Sequence, residues 1–143
     1  MGLVYRLIGH NAAVVALVAL SDAQTLISGS YDKEVVIWNI FSGKAVQKLA
    51  GHNSSITALA LARDQSRLVS ASLDNTLNVW KLNYKEAKGS QSFESCYLER
   101  TIKNNTFVCS VNILSDNRTL VSGSKDGKLK FWNLENGECD RVL

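Results

Sequence analysis

Histidine, serine and aspartate recur in this chain at a fixed spacing, and together these residue types can act as a hydrolase. The spacing occurs twice in full, in His10, Ser28 and Asp32 and again in His52, Ser70 and Asp74. In a hydrolytic triad the serine attacks, the histidine takes its proton and the aspartate orients the imidazole. A triad is needed once in a protein, whereas this set is copied after 42 residues. We therefore interpret the set as part of a repeated scaffold.

A third, incomplete copy argues further against catalysis. It keeps Ser122 and Asp126 in register, but Asn104 stands where the other copies have histidine. A hydrolase of this kind cannot lose its general base, and we predict that the chain is not an enzyme. The non-repeated segment, residues 83–95, contains neither histidine nor cysteine. No histidine and cysteine cluster has zinc spacing, so we expect neither a metal nor a cofactor.

Three tryptophans define the repeat that positions these residues. Trp38, Trp80 and Trp132 each follow an aspartate of the set by six residues, and the tryptophans are 42 and 52 residues apart. An insertion of ten residues therefore precedes the third tryptophan. Self-similarity with a period of about 40 residues is typical of a repeat architecture.

Each unit is predicted to contain four short strands separated by turns. They are expected at residues 14–20, 25–30, 34–40 and 44–49, at 56–62, 67–72, 76–82 and 97–102, and at 107–114, 119–124, 128–134 and 138–143. The first is almost continuously apolar, as in an inner strand buried on both faces. The polar segment 83–95 is expected to be a long exposed loop. The pattern predicts an all-β chain.

The order Gly-His, Ser-Gly-Ser-x-Asp and tryptophan, at about 42 residues per unit, resembles the WD-repeat family of β-propellers. The resemblance covers residues 3–143, although Asn39, Lys81 and Asn133 replace the aspartate that usually follows the tryptophan. It implies three four-stranded antiparallel blades, in units of approximately 8–49, 50–101 and 102–143. Residues 3–7 match the outer strand that precedes each Gly-His pair.

The resemblance also implies a hydrogen-bonded chain of histidine, aspartate, serine and tryptophan within each blade. Buried indole, imidazole and carboxylate groups must all find partners, because leaving them unpaired costs several kcal/mol. The implied members are His10, Ser28, Asp32 and Trp38, then His52, Ser70, Asp74 and Trp80, then Asn104, Ser122, Asp126 and Trp132. Asn104 is shorter than histidine, so the third blade is expected to fray first.

Three blades are too few for one chain to close a propeller ring, since rings typically contain four to eight. An open end would expose the apolar side of a blade. Three explanations remain open. The sequence is a piece of a longer propeller, or copies of it self-associate into a ring, or another protein caps an open arc.

The resemblance implies a non-enzymatic scaffold that binds a protein partner through the face bearing the tight turns. The contact candidates precede each turn aspartate or open each inner strand: Tyr31, Leu73 and Lys125, and Ala13, Ser55 and Phe107. Tyr31 and Phe107 are the preferred anchors, because aromatic residues dominate binding hot spots, although packing of Phe107 between blades is an alternative. A second hypothesis is RNA or ribosome association through the basic stretch 100–130.

Composition limits these alternatives. The net charge of +3 is too small to favour nucleic acid, and the absence of proline fits paired strands. Three cysteines without metal spacing indicate reduced thiols and a cytoplasmic, or alternatively nuclear, protein. The apolar segment 12–20 aligns with residues 54–62 of the next unit. We therefore interpret it as a strand, and we expect no membrane association.

Overall fold

Twelve β-strands form three antiparallel sheets in the computed structural model, which describes residue 2 and residues 6–143. We call each sheet a blade. The first blade contains β1 (Val14–Ala19), β2 (Thr25–Ser30), β3 (Val35–Asn39) and β4 (Lys44–Leu49). The second contains β5 (Ile56–Leu61), β6 (Arg67–Ser72), β7 (Thr76–Ala87) and β8 (Ser90–Lys103). The third contains β9 (Val108–Ile113), β10 (Thr119–Ser124), β11 (Leu129–Asn133) and β12 (Cys139–Val142).

Strands within each blade follow one another in chain order, and the sheets do not close into a ring. The predicted all-β class and the three four-stranded blades are confirmed. No helix in the described part of the chain is long and apolar enough to cross a membrane. Of the additional outer strand predicted at residues 3–7, residues 3–5 lie outside the described residues, and the other two form no strand.

Tight turns between the second and third strands of the blades place the aspartates of the repeat. One residue after each aspartate adopts positive φ: Lys33 at 77°, Asn75 at 68° and Gly127 at 81°. Glycine adopts this left-handed conformation without steric cost, whereas the lysine and the asparagine do so less readily. The same backbone turn is therefore kept in all three blades.

A β-bulge interrupts the inner strand of each blade. In the first blade Val14 pairs with Ser30 and Ala16 with Gly29, which leaves Val15 unpaired. The same shift leaves Thr57 and Cys109 unpaired in the other two blades.

Two apolar clusters fill the spaces between neighbouring blades. Between the first and second blades, Ile27 and Ile37 pack in one cluster with Leu68 and Trp80. Between the second and third blades, the equivalent residues are Val69 and Val79 on one side and Leu120 and Trp132 on the other. The first and second blades thus each cover the tryptophan side of the blade that follows.

The expectation that the first strand is buried on both faces is wrong. Leu17 is 61% exposed, and Val14 is also exposed. Burial on both faces is found instead in the equivalent strand of the second blade, β5, because that blade lies between the other two. There Ile56 packs toward the first blade and Ala60 packs toward the third. The first blade has no such neighbour beside β1 in the described residues.

The prediction of an exposed loop at residues 83–95 is also wrong. This segment continues the hairpin of β7 and β8, with paired residues from Asn83 and Ser95 to Ala87 and Ser90. Tyr84 and Phe93 are paired across the hairpin with ring centroids 6.4 Å apart, and both pack against the cluster between the first two blades. Residues 85–91, which are mostly polar and suggested a loop, are all exposed at the end of this ribbon, so the expected exposure of this part is correct and the expected loop is not.

Candidate functional site

A directional chain of hydrogen bonds runs through the second blade. The indole N–H of Trp80 donates to Ser70 Oγ at 2.8 Å, and His52 Nε2 lies 2.7 Å from the same oxygen. On its other side His52 Nδ1 lies 3.0 Å from Asp74 Oδ2. Every donor is satisfied when the Ser70 hydroxyl donates to Nε2 and the Nδ1–H donates to the carboxylate. Asp74 also accepts from the Asn53 amide.

The first blade repeats this chain with nearly the same distances. Trp38 donates to Ser28 Oγ at 2.8 Å, and that oxygen lies 2.6 Å from His10 Nε2. His10 Nδ1 is 2.8 Å from Asp32 Oδ2, which also accepts from the Asn11 amide. The geometry therefore brings together both complete sets of residues that the sequence places in the network.

Electrostatics favour a carboxylate and a neutral imidazole in the second blade. Burial alone would raise the pKa of Asp74, but hydrogen bonds from Thr76, the Asn53 amide and His52 lower it below its usual value. Burial lowers the pKa of His52, and the neighbouring Asp74 opposes this only in part. The pKa of Asp32 in the first blade is also lowered. Burial alone would raise this pKa, but hydrogen bonds from two backbone amides, those of Asn11 and Glu34, and from the His10 side chain outweigh that effect.

The same geometry has no catalytic use in the second blade. The Ser70 hydroxyl is 0% exposed and both accepts from an indole and donates to the histidine, so a substrate carbonyl has no path to it. A hydrolytic serine must reach its substrate. This arrangement is a satisfied polar core that joins the turn to the sheet.

The third blade replaces the histidine with a different set of contacts. Asn104 bonds neither Ser122 nor Asp126; its amide nitrogen donates at 3.0 Å to Ser124 Oγ and to the carbonyl of Thr106. Lys130 then donates to Asn104 Oδ1 at 2.6 Å, and its ammonium lies 5.8 Å from the Trp132 ring centroid.

Trp132 still donates to Ser122 Oγ at 2.8 Å, but Asp126 is exposed and receives only the backbone amide of Lys128 in the described structure. The sequence reasoning missed Lys130. The sequence signal that could have identified Lys130 is a lysine at the strand position where the other blades have the uncharged residues Val36 and Asn78.

One group of side chains in residues 6–143 has the proximity of a metal site. The ligand atoms of His10, Asp32 and Glu34 all lie within 4.8 Å of one another. Both ring nitrogens of His10 are already used, by Asp32 and by Ser28. No imidazole lone pair is then free for a cation, and the group fits the hydrogen-bond network instead.

The six predicted contact residues lie on one face, which we call the turn face. Backbone hydrogen bonds join them in pairs, one pair in each blade: Tyr31 to Ala13, Leu73 to Ser55 and Lys125 to Phe107. The Ser55 hydroxyl also donates to the carbonyl of Tyr31 at 2.8 Å, which ties the second blade to the first.

An open cleft of about 440 Å³ lies at the centre of the turn face. It is lined by Tyr31, Ser55, Thr57, Leu73, Phe107 and Cys109. Four of these residues are predicted contact candidates. Ala13 and Lys125 do not line the cleft, although the ammonium of Lys125 lies 5.4 Å from the Phe107 ring centroid.

Sequence reasoning missed Thr57 and Cys109. Each lies two residues after a predicted contact residue, a spacing that places side chains on the same side of a strand, and each is the unpaired residue at the bulge of its inner strand. A polar residue such as Thr57 within an otherwise apolar strand was the available signal. Its hydroxyl donates to the carbonyl of Val108 at 2.6 Å, so it also links two blades.

Basic residues of the stretch 100–130 do not form one free surface. The Arg100 guanidinium donates to the carbonyls of Glu135 and Asn136, Arg118 pairs with Glu135 at 3.5 Å, and Lys130 bonds Asn104. Three of the six cations of the stretch thus have partners within the protein, although the Arg118–Glu135 pair is exposed to solvent.

Sequence and structure together define a class of protein: the chain belongs to the WD-repeat family. The family described as "WD domain, G-beta repeat" matches residues 1–39, 43–81 and 96–133. Proteins of this class generally act as non-enzymatic scaffolds for protein interactions.

Two solved structures show the same fold. "Structure of U3-55K" is 20% identical to this chain, with a TM-score of 0.76, and the match covers 96% of this chain and 41% of that one. "Crystal structure of RRP9 WD40 repeats" is 20% identical, with a TM-score of 0.75, and the match covers 96% of this chain and 40% of that one. The chain thus spans about two fifths of either. A comparison with curated proteins found no match.

Proposed function

We propose that this chain is a non-enzymatic scaffold that binds a protein segment in the cleft of the turn face. The observation that supports this most strongly is the shared cleft. Tyr31, Leu73 and Phe107 come from three different blades, yet their side chains line one concave surface. A cavity of about 440 Å³ is within the range of small ligand pockets and large enough for an apolar side chain of a partner.

Apolar contact supplies most of the binding in this proposal. The hydroxyls of Ser55 and Thr57 are already bonded to carbonyls of neighbouring blades. Tyr31 is 53% exposed and Leu73 is also exposed, so covering them removes apolar surface from water. Lys125 beside Phe107 provides a positive charge at the rim. The partner is therefore a segment with an aliphatic or aromatic side chain and a nearby acidic residue.

A library of displayed random peptides tests this function without a known partner. Peptides selected on the wild-type chain should lose binding to Leu73→Glu, which places a charge in the cleft. They should keep binding to Phe41→Glu, because Phe41 is an exposed aromatic in the turn between β3 and β4. Equal binding of the selected peptides to the wild type and to Leu73→Glu would refute the cleft as the binding site.

RNA association is the weaker alternative, since Arg100, Arg118 and Lys130 are engaged in contacts within the protein. Retention on heparin that falls steeply with salt would support it. Weak retention that changes little with salt would support the scaffold instead.

We also propose a cytoplasmic or nuclear location. Cys109 and Cys139 are exposed, unpaired thiols, which suit a reducing compartment. Microscopy of a tagged chain tests this, and secretion of the chain would contradict it.

A further inference from the structure

The outer blades each leave one sheet face uncovered in the described structure. On the first blade this is the face of Val14, Leu17, Leu26 and Trp38, which line a shallow cavity of about 160 Å³. We call it the leading face. On the third blade, the trailing face carries apolar residues of all four strands or their ends: Leu114, Val121, Leu129, Phe131 and Leu143. Leu129 is 46% exposed, and Leu114 and Leu143 are exposed as well.

The trailing face repeats surfaces that are buried elsewhere in the same molecule. Its positions 121, 129 and 131 correspond to Ile27, Val35 and Ile37 of the first blade, which pack on the second. They also correspond to Val69, Leu77 and Val79 of the second blade, which pack on the third. The trailing face thus has the composition of a surface that receives another blade.

The leading face repeats the opposite side of those interfaces. Val14, Leu17 and Leu26 correspond to Ile56, Leu59 and Leu68 of the second blade, which pack against the first. In the third blade the equivalents are Val108, Val111 and Leu120, which pack against the second. The two open faces are therefore the two halves of an interface that this chain already builds twice.

The trailing face also carries one cation. Arg141 pairs with Phe131, so both side chains lie on the same side of the sheet, at the position that Arg100 has opposite Val79 in the second blade. The Arg100 guanidinium donates to the carbonyls of Glu135 and Asn136 in the next blade, so an interface of this kind already accommodates a cation there. The apolar residues around it supply the surface that contact would remove from water. Exposed sheet faces of this kind are uncommon in a protein that stays monomeric.

We propose that a second copy of this chain covers both open faces, with the two copies arranged head to tail. The trailing face of each copy then packs on the leading face of the other, and a twofold axis relates the two interfaces. Two copies supply six blades, which lies within the four to eight that close a propeller. A closed ring leaves no open face. If the ring did not close, further copies would add head to tail and form filaments. Because the cleft of the turn face is formed within one chain, this proposal and the proposed function fail independently.

Analytical ultracentrifugation and light scattering test the proposal on the full chain. We expect a mass of twice 15.7 kDa at micromolar concentrations, with dissociation on dilution. Leu17→Glu and Leu129→Glu should each give monomers, because each places a charge in both interfaces of the ring. Tyr97→Glu is the matched control: Tyr97 is 52% exposed but lies in β8 of the second blade, which contributes to neither open face, and the dimer should persist.

An equal mixture of Leu17→Glu and Leu129→Glu chains provides the decisive arm. In a mixed head-to-tail dimer, one interface carries both substitutions and the other carries neither, so dimers should return. Recovery in the mixture also shows that both variants are folded. A single-chain mass for the wild type at every concentration would overturn the proposal. Dimers of Leu129→Glu alone would also overturn it, because they would show contact between two leading faces.

Discussion

Replacing Ser70 with alanine would remove one hydroxyl from the centre of the network in the second blade. That oxygen accepts from Trp80 Nε1 at 2.8 Å and lies 2.7 Å from His52 Nε2. The change leaves a buried indole donor and a buried imidazole acceptor without partners. Each unsatisfied buried group costs about 1 to 3 kcal/mol, so we expect the free energy of unfolding to fall by about 3 to 4 kcal/mol.

The other blades provide matched substitutions. Ser28→Ala removes the same two contacts from the first blade and should cost a similar amount. Ser122→Ala leaves only the Trp132 indole unpaired, because Asn104 does not reach Ser122. Its expected cost is about 1 to 2 kcal/mol. Ser90→Ala, at the exposed end of the β7–β8 ribbon, is the control and should change stability by less than about 0.5 kcal/mol.

Urea unfolding followed by tryptophan fluorescence and circular dichroism, at one protein concentration, measures these differences. Agreement between the two signals shows that the sheets unfold together. A loss for Ser122→Ala as large as that for Ser70→Ala would refute the reasoning, because the histidine would then add nothing to the network.

Two further predictions concern buried polar groups. Asn78→Val removes a buried amide nitrogen that has no partner, and it also removes the acceptor of the Thr101 hydroxyl, which is exposed and can bond water instead. Because the first blade has valine at this position, we expect urea unfolding to show stabilisation by about 1 kcal/mol. A loss of stability would contradict this prediction. Acid should weaken the fold, because His52 has a lowered pKa in the folded protein and binds a proton more readily when unfolded. Stability should fall as the pH drops through about 6.5, and fall further below about 4, where the lowered pKa of Asp74 adds its own loss. Melting temperatures between about pH 7.5 and about pH 5.5 measure the first step, which should be smaller in His52→Asn; equal melting temperatures for the wild type would contradict the assignment.

The strand pattern predicted an all-β chain, and the resemblance to WD repeats implied its three four-stranded blades. A tryptophan six residues after an aspartate places both around one tight turn and its following strand, as at Asp74 and Trp80. The turn face followed from the same register, since Tyr31 and Leu73 occupy equivalent positions. Four of the six predicted contact residues line the cleft, and their role in binding stays a prediction.

Departures from the repeat were harder to predict. The bulges at Thr57 and Cys109 depend on pairing between strands, and the sequence of one strand does not specify its register with the next. The ribbon at residues 83–95 depends on a Tyr84–Phe93 pair across the hairpin. The mostly polar composition of the segment indicated a loop and gave no sign of this pairing. Exposure of β1 depends on which neighbour is present, so its apolar sequence alone could not reveal it.

Loss of the histidine changes how the third blade responds to acid. The second blade depends on His52, which binds a proton more readily once the blade unfolds. The third blade contains no histidine, and Asn104 takes its place with Lys130 as a partner. The loss of stability that mild acid causes through His52 therefore has no counterpart in the third blade. Acidification should narrow the difference in stability between the second and third blades.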